Sequence, residues 1–119
     1  MSNQKRILAE YPIVGGNTDA NVLRLTLEYR LGGHNYFTGE HMQRGLVLSC
    51  SPLGVHKKDG YTTTTYRGFS GTNMHVKDMK RFSQKTLDEF EPTDEQIKRL
   101  VDHVIHENGL VVEGYETER

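Results

Sequence analysis

Residues 43–73, QRGLVLSCSPLGVHKKDGYTTTTYRGFSGTN, decide how the chain is read. Leu46, Leu48 and Cys50 alternate with Val47, Ser49 and Ser51, the period of two that sends successive side chains to opposite faces of a strand. Asp59-Gly60 follows, a pair that tolerates the positive φ angles of a two-residue hairpin turn. The chain is therefore expected to return through residues 61–67. Tyr61, Thr63, Thr65 and Arg67 share one face of the returning strand, and Thr62, Thr64 and Tyr66 share the other. Neither face is strongly apolar, which predicts a strand at the sheet edge or lying over the sheet. Pro52 and Gly54 weaken or bulge the far end of its partner.

Upstream, Leu23, Leu25, Leu27, Tyr29 and Leu31 alternate with Arg24, Thr26, Glu28 and Arg30. This is the clearest strand in the chain, with one face for a core and one for water, as in an antiparallel sheet covered on one side. Ile7, Ala9, Tyr11 and Ile13 fall on one side of an earlier strand over about 6–14. Pro12 cannot donate to a ladder and so predicts an edge or broken strand there. Gly15-Gly16-Asn17 marks a turn. Between Gly32-Gly33 and Gln43 runs a loop carrying His34, Glu40, His41 and Met42. It is longer than a hairpin needs, and loops of that kind carry function or move.

Downstream, Val76, Met79, Phe82, Leu87 and Phe90 recur every three to four residues, with Lys77, Lys80, Arg81 and Lys85 between them. That spacing predicts an amphipathic helix over 74–90 with a cationic outer face, capped by Thr72 or Asn73 and ended by Glu91-Pro92. Thr93-Asp94-Glu95-Gln96 is the capping box of a second helix. Ile97, Leu100, Val101, Val104 and Ile105 form its buried stripe, and Asn108-Gly109 its αL cap. Leu110-Val111-Val112 can add a short strand before an acidic end that frays. The expected fold is a single α+β domain spanning 1–119: an antiparallel sheet of about four strands with two C-terminal helices packed on one face.

Composition narrows the class. A chain of 119 residues with 34% apolar content is one domain with a modest core. The lone Cys50 excludes an internal disulfide framework, and its place on the apolar side of a strand predicts a small buried thiol in a reducing compartment. No stretch has signal-peptide character or membrane-spanning length, so a soluble, cytoplasmic protein is expected. The net charge of −1 hides an uneven distribution. Residues 1–43 are neutral. Residues 44–85 hold eight basic residues against Asp59 and Asp78, and residues 86–119 hold ten carboxylates against Lys98, Arg99 and Arg119. Two blocks of opposite sign either face each other, pair between subunits or present a basic face to an anionic partner.

Catalytic and metal chemistry find parts without an arrangement. His103 and His106 stand three apart on the second helix, where they can share a face, but zinc asks for three or four ligands. His34 and His41 bracket the loop at a spacing that no ligand motif prefers. Ser70 in Gly68-Phe69-Ser70-Gly71 lacks the G-x-S-x-G spacing of a nucleophile elbow. Glu40 with His34 or His41 could be an acid–base pair, and chance adjacency explains them equally well. No catalysis, cofactor or metal is expected. Phosphate needs fewer residues: Gly68 to Asn73 leads from a strand into the predicted helix start, where unpaired N–H groups favour an anion. The expected binding residues are Lys57, Lys58, Arg67, Ser70, Thr72, Lys77, Lys80 and Arg81, read as one recognition face over 57–85. A protein partner accommodates both charge blocks and an edge strand, with a homodimer as one form. A nucleic-acid or nucleotide ligand on the same basic face is the alternative.

The runs Gly33-His34-Asn35-Tyr36-Phe37-Thr38-Gly39, Arg44-Gly45-Leu46-Val47-Leu48-Ser49-Cys50-Ser51-Pro52 and Phe69-Ser70-Gly71-Thr72 resemble short uncharacterised proteins encoded by bacterial plasmids and phages. The resemblance lies within residues 33–72 and includes no catalytic motif. It implies an accessory role in a mobile element, acting on host machinery, and it carries over no site residue.

Overall fold

The computed structural model describes residues 4–16, 20–34, 39, 41–58, 61–66 and 72–115, with the backbone alone for 42, 56–58 and 61–66. The elements run β1 (Lys5–Gly16), β2 (Val22–Arg30), β3 (Gly33–His34), β4 (His41–Met42), β5 (Gly45–Lys58), β6 (Tyr61–Tyr66), β7 (Thr72–Asp78), α1 (Gln84–Glu89), α2 (Asp94–Asn108) and β8 (Leu110–Val112). The main sheet is antiparallel in the order β6-β5-β2-β1-β8, and β7 also pairs with β5. β6 lies along residues 53–58 of β5 and β7 along 45–50, both on the edge opposite β2. The sheet is thus five strands wide rather than about four. β3 and β4 form a separate two-stranded ribbon.

The α+β class follows from how the apolar side chains alternate. Leu23, Leu25 and Leu27 of β2 and Leu46, Leu48 and Cys50 of β5 share a face and are almost wholly buried. α2 covers them, packing on β5, β7 and β8, while α1 packs on β1 and β2. Leu87, Leu100, Val101, Val104 and Ile105 supply the helical side of this core. Each leucine so buried contributes about 1.5–3 kcal/mol. The α2 signals act as their chemistry requires. The Thr93 hydroxyl accepts from the Gln96 N–H at 3.1 Å, and the Thr93 N–H donates to the Gln96 side chain at 3.0 Å. Gly109 closes the helix in the left-handed region at φ 61°.

The expected helix over 74–90 is not formed as such. Residues 72–78 are a strand, and only Gln84–Glu89 is helical, with Ser83 rather than Thr72 or Asn73 as its N-cap. The physical reason is the edge of β5. Residues 45–50 would otherwise leave backbone groups unpaired over a buried core, and β7 supplies the ladder, Cys50 opposite Thr72 through Gly45 opposite Asp78. Gly45 permits that approach, since a Cβ there would lie 2.0 Å from the Lys77 carbonyl oxygen. Met74, Met79 and Leu87 still reach one core, but from a strand, a connection and a short helix.

β1 departs from simple alternation. A register shift between Ile7 and Ala9 places Ile7 opposite Thr26 and Arg6 opposite Leu27. Ile7 therefore leaves the core face that its spacing predicts and stands 52% exposed. Arg6 instead turns toward the helices and donates to the carbonyls of Leu87 at 2.8 Å, Asp88, and Phe90 at 2.7 Å. These are carbonyls that a helix C-terminus leaves without intrahelical partners. Pro12 is tolerated for a geometric reason. The Ile13 N–H donates toward β2, to Asn21, so the Pro12 nitrogen faces the other edge, where β8 joins only from Ile13 onward.

Candidate functional site: a cationic corner

On the open face of the sheet, cations and carboxylates meet across strands. Lys5 lies opposite Glu28 and Arg24 opposite Glu10, with ion-pair distances of 3.7 Å and 2.8 Å, and Arg30 reaches Glu28 at 2.8 Å. Opposite charges placed directly across an antiparallel pair stabilise the sheet. At the centre of this face Thr26 and Ser49 are buried, and the Thr26 hydroxyl donates to the Glu28 carboxylate at 3.0 Å. A depression of about 30 Å³ lined by Lys5, Arg24, Thr26, Glu28, Ser49 and Ser51 remains. It has room for a water molecule and none for an organic ligand.

The second charged region is of another kind. Lys77 is the last but one residue of β7, Lys80 and Arg81 occupy the connection to α1, and Lys85 stands in the first turn of α1; all four are exposed. The strand pairing brings Arg44 to them. The Met79 N–H donates to the Arg44 carbonyl at 2.9 Å, and the Arg44 guanidinium donates to the Lys80 carbonyl at 3.3 Å. None of these five cations takes part in the ion pairs of the described residues. The acid within the group, Asp78, lies 3.2 Å from His75 instead. The result is a compact exposed corner of positive charge.

This corner gathers only part of the expected face. Lys57 and Lys58 lie opposite Thr62 and Tyr61 at the far end of β5, whereas Lys77 lies opposite Leu46. Eleven positions of strand at about 3.3 Å each separate them by roughly 36 Å, close to the 39 Å length of the whole molecule. Residues 57–85 therefore do not form one contiguous face. Thr72 opens a strand and is half-buried opposite Cys50, so the anion site expected at a helix start there has no helix behind it. Arg67 and Ser70 lie outside the described residues, as does Glu40. Arg44 is the member that sequence reasoning missed. It belonged to the basic block by count, but only the pairing of β5 with β7 places it beside Lys80.

The remaining titratable groups sit as follows. Cys50 is fully buried, and burial pushes its thiol up to about 12, which leaves it without the thiolate that a nucleophile needs. Tyr11 and Tyr115 meet edge to face at 5.3 Å. Burial raises both, helped by Cys50 for Tyr11 and by the adjacent Asp102 carboxylate for Tyr115. On α2, His103 is half-buried and His106 exposed. No group of three or more His, Cys, Asp or Glu among the described residues is disposed to hold a metal ion. His34 and His41, by contrast, lie directly opposite each other in the β3–β4 ribbon, with ring centres 4.3 Å apart. No helix among the described residues is long and apolar enough to cross a membrane. No family model, curated protein or solved structure matches the chain.

Proposed function

We propose that the chain is a non-catalytic accessory or regulatory protein that recognises a protein partner through the corner made by Arg44, Lys77, Lys80 and Arg81, with Lys85 beside it. The supporting observation is that these cations are exposed and, among the described residues, take part in no ion pair, whereas those on the open sheet face are paired. A compact positive spot suits an acidic segment of a partner, for which complementary charge sets encounter rate and register. It lies beside β7, which among the described residues pairs with β5 alone and so offers an edge for an added strand. The resemblance to plasmid- and phage-encoded proteins fits such a role, with a host component, or a second copy of the chain, as the partner in the cytoplasm.

The second reading is nucleic-acid or nucleotide binding. It draws on Lys57 and Lys58, which flank the connection of a two-stranded ribbon, a shape that the major groove admits. Its stacking candidates, Phe69 and the side chains of Tyr61 and Tyr66, lie outside the described residues, and Phe82, the aromatic residue of the corner, is half-buried against Tyr29 at 5.4 Å and is not free for a base. One experiment separates the readings. The tagged chain is used to capture partners from host lysate with and without nuclease, beside the double variant Lys80→Glu, Arg81→Glu. Protein capture that survives nuclease and is lost in the variant is expected. Capture that vanishes with nuclease, together with a steep fall of affinity with salt, would replace the protein reading with the nucleic-acid one.

A further inference from the structure

The β3–β4 ribbon stands apart from the main sheet and consists of two residue pairs, Gly33 opposite Met42 and His34 opposite His41. A ladder this short has little stability of its own, yet it presents two imidazoles on the same side in direct contact. Their ring centres are 4.3 Å apart and their planes inclined by 37°. Both residues are exposed, and among the described residues neither ring is engaged in a hydrogen bond or an ion pair. Two imidazole nitrogens bound to one ion at about 2 Å each put their ring centres about 4.5 Å apart where the two bonds meet at a right angle, and about 5 Å apart at the tetrahedral angle of zinc. The observed 4.3 Å is near the right-angle value, so an ion binding at right angles needs little movement of the rings, whereas a tetrahedral one has to swing them apart by nearly 1 Å, on the order of the difference between those geometries.

We infer that His34 and His41 form a two-imidazole chelate for a divalent transition-metal ion of the nickel–copper–zinc type, the ions that imidazole nitrogen suits. Cross-strand pairing supplies what the sequence spacing conceals, since residues seven apart are neighbours once the chain folds back. Two protein ligands are fewer than the three of a catalytic zinc site or the four of a structural one, so the remaining positions on the ion belong to water or to an outside donor and binding is correspondingly weaker. Bound metal clips the ribbon at its second pair and fixes the ends of the segment between the two histidines, a short closure for which the loop entropy is small.

The test uses the full chain, with Zn²⁺ and Ni²⁺ alone as probes in calorimetric titrations, and follows the imidazole ring signals by NMR. One ion per chain is expected, with the His34 and His41 signals moving together. His34→Gln and His41→Gln should each weaken binding at least about tenfold, while His106→Gln, at the exposed end of α2, should leave it unchanged. The ribbon lies outside the main sheet, and circular dichroism should give the same folded signal for every variant. The inference is overturned if either single variant binds as well as the original chain, if His106→Gln weakens binding as much, or if neither ion binds at millimolar concentration. Two stacked, metal-free rings would then be the whole of the contact.

Discussion

The two ends of β5 are built for different purposes. From Gly45 to Cys50 the strand is paired on both edges, by β2 and by β7, lies under α2, and every residue is buried. Beyond Leu53, which lies opposite Val22, β2 runs out. The Asn21 side chain prolongs the ladder by one step, donating to the Val55 carbonyl and accepting from the Val55 N–H at 2.8 Å each. Beyond that, among the described residues, the strand is paired with β6 alone. A two-stranded extension has little stability of its own. Its opening free energy falls well below that of the whole domain. One continuous strand thus anchors the fold at one end and projects from it at the other, with basic residues at both.

This contrast can be broken from the closed end first. Leu48→Ala should lower unfolding free energy by about 2–5 kcal/mol, read from urea denaturation. A loss under about 1 kcal/mol would mean that the closed end is not where stability resides. The same end should give the protein an alkaline limit. Cys50 ionises near 9 when unfolded and only at about 12 in the fold, so between those values the unfolded state has released a proton that the native state still holds. The contribution of Cys50 to stability should be constant below about pH 9 and be lost as pH rises toward 12, with Tyr11 and Tyr115 adding to the fall above 10. Urea midpoints across that range measure it, and Cys50→Ala should flatten the first part of the slope. In the native state the thiol should resist alkylation that proceeds readily in urea. The smallest effect belongs to the open end. Asn21→Ala should cost only about 1 kcal/mol globally, while amide exchange at Val55 speeds up far more than at Leu48. Equal acceleration at both residues would erase the distinction between the ends.

What could be read from the sequence was local. The alternation of Leu23 to Tyr29, the Thr93–Gln96 capping box and the edge position of the threonine-rich strand each depend on residues within a few positions, and each is found as expected. What escaped depends on partners far along the chain. Met74 to Phe90 has a spacing compatible with a helix, and only the open edge of β5 makes Thr72–Asp78 a strand. The register shift at Leu8 leaves no trace in composition, yet it decides that Arg6 rather than Ile7 faces the helices. The charged corner was half legible for the same reason. Lys77, Lys80 and Arg81 are neighbours in sequence, whereas Arg44 joins them, and Lys57 and Lys58 leave them, only through the pairing of β5.

The pairing of β1 with β8 also sets a timetable. Ile13 lies opposite Val112, and Gly16 approaches the Gly109 carbonyl so closely that a Cβ would stand 2.4 Å from it. During synthesis the edge of β1 over residues 13–16 emerges long before its partner, with most of the described chain between them. Contacts of such sequence separation form slowly, and an unpaired strand edge in the interval is a template for other chains. A nascent chain halted before Leu110 would carry that edge bare, with Ile13 uncovered beside it, which makes pairing by β8 the step that covers residues 13–16 of β1.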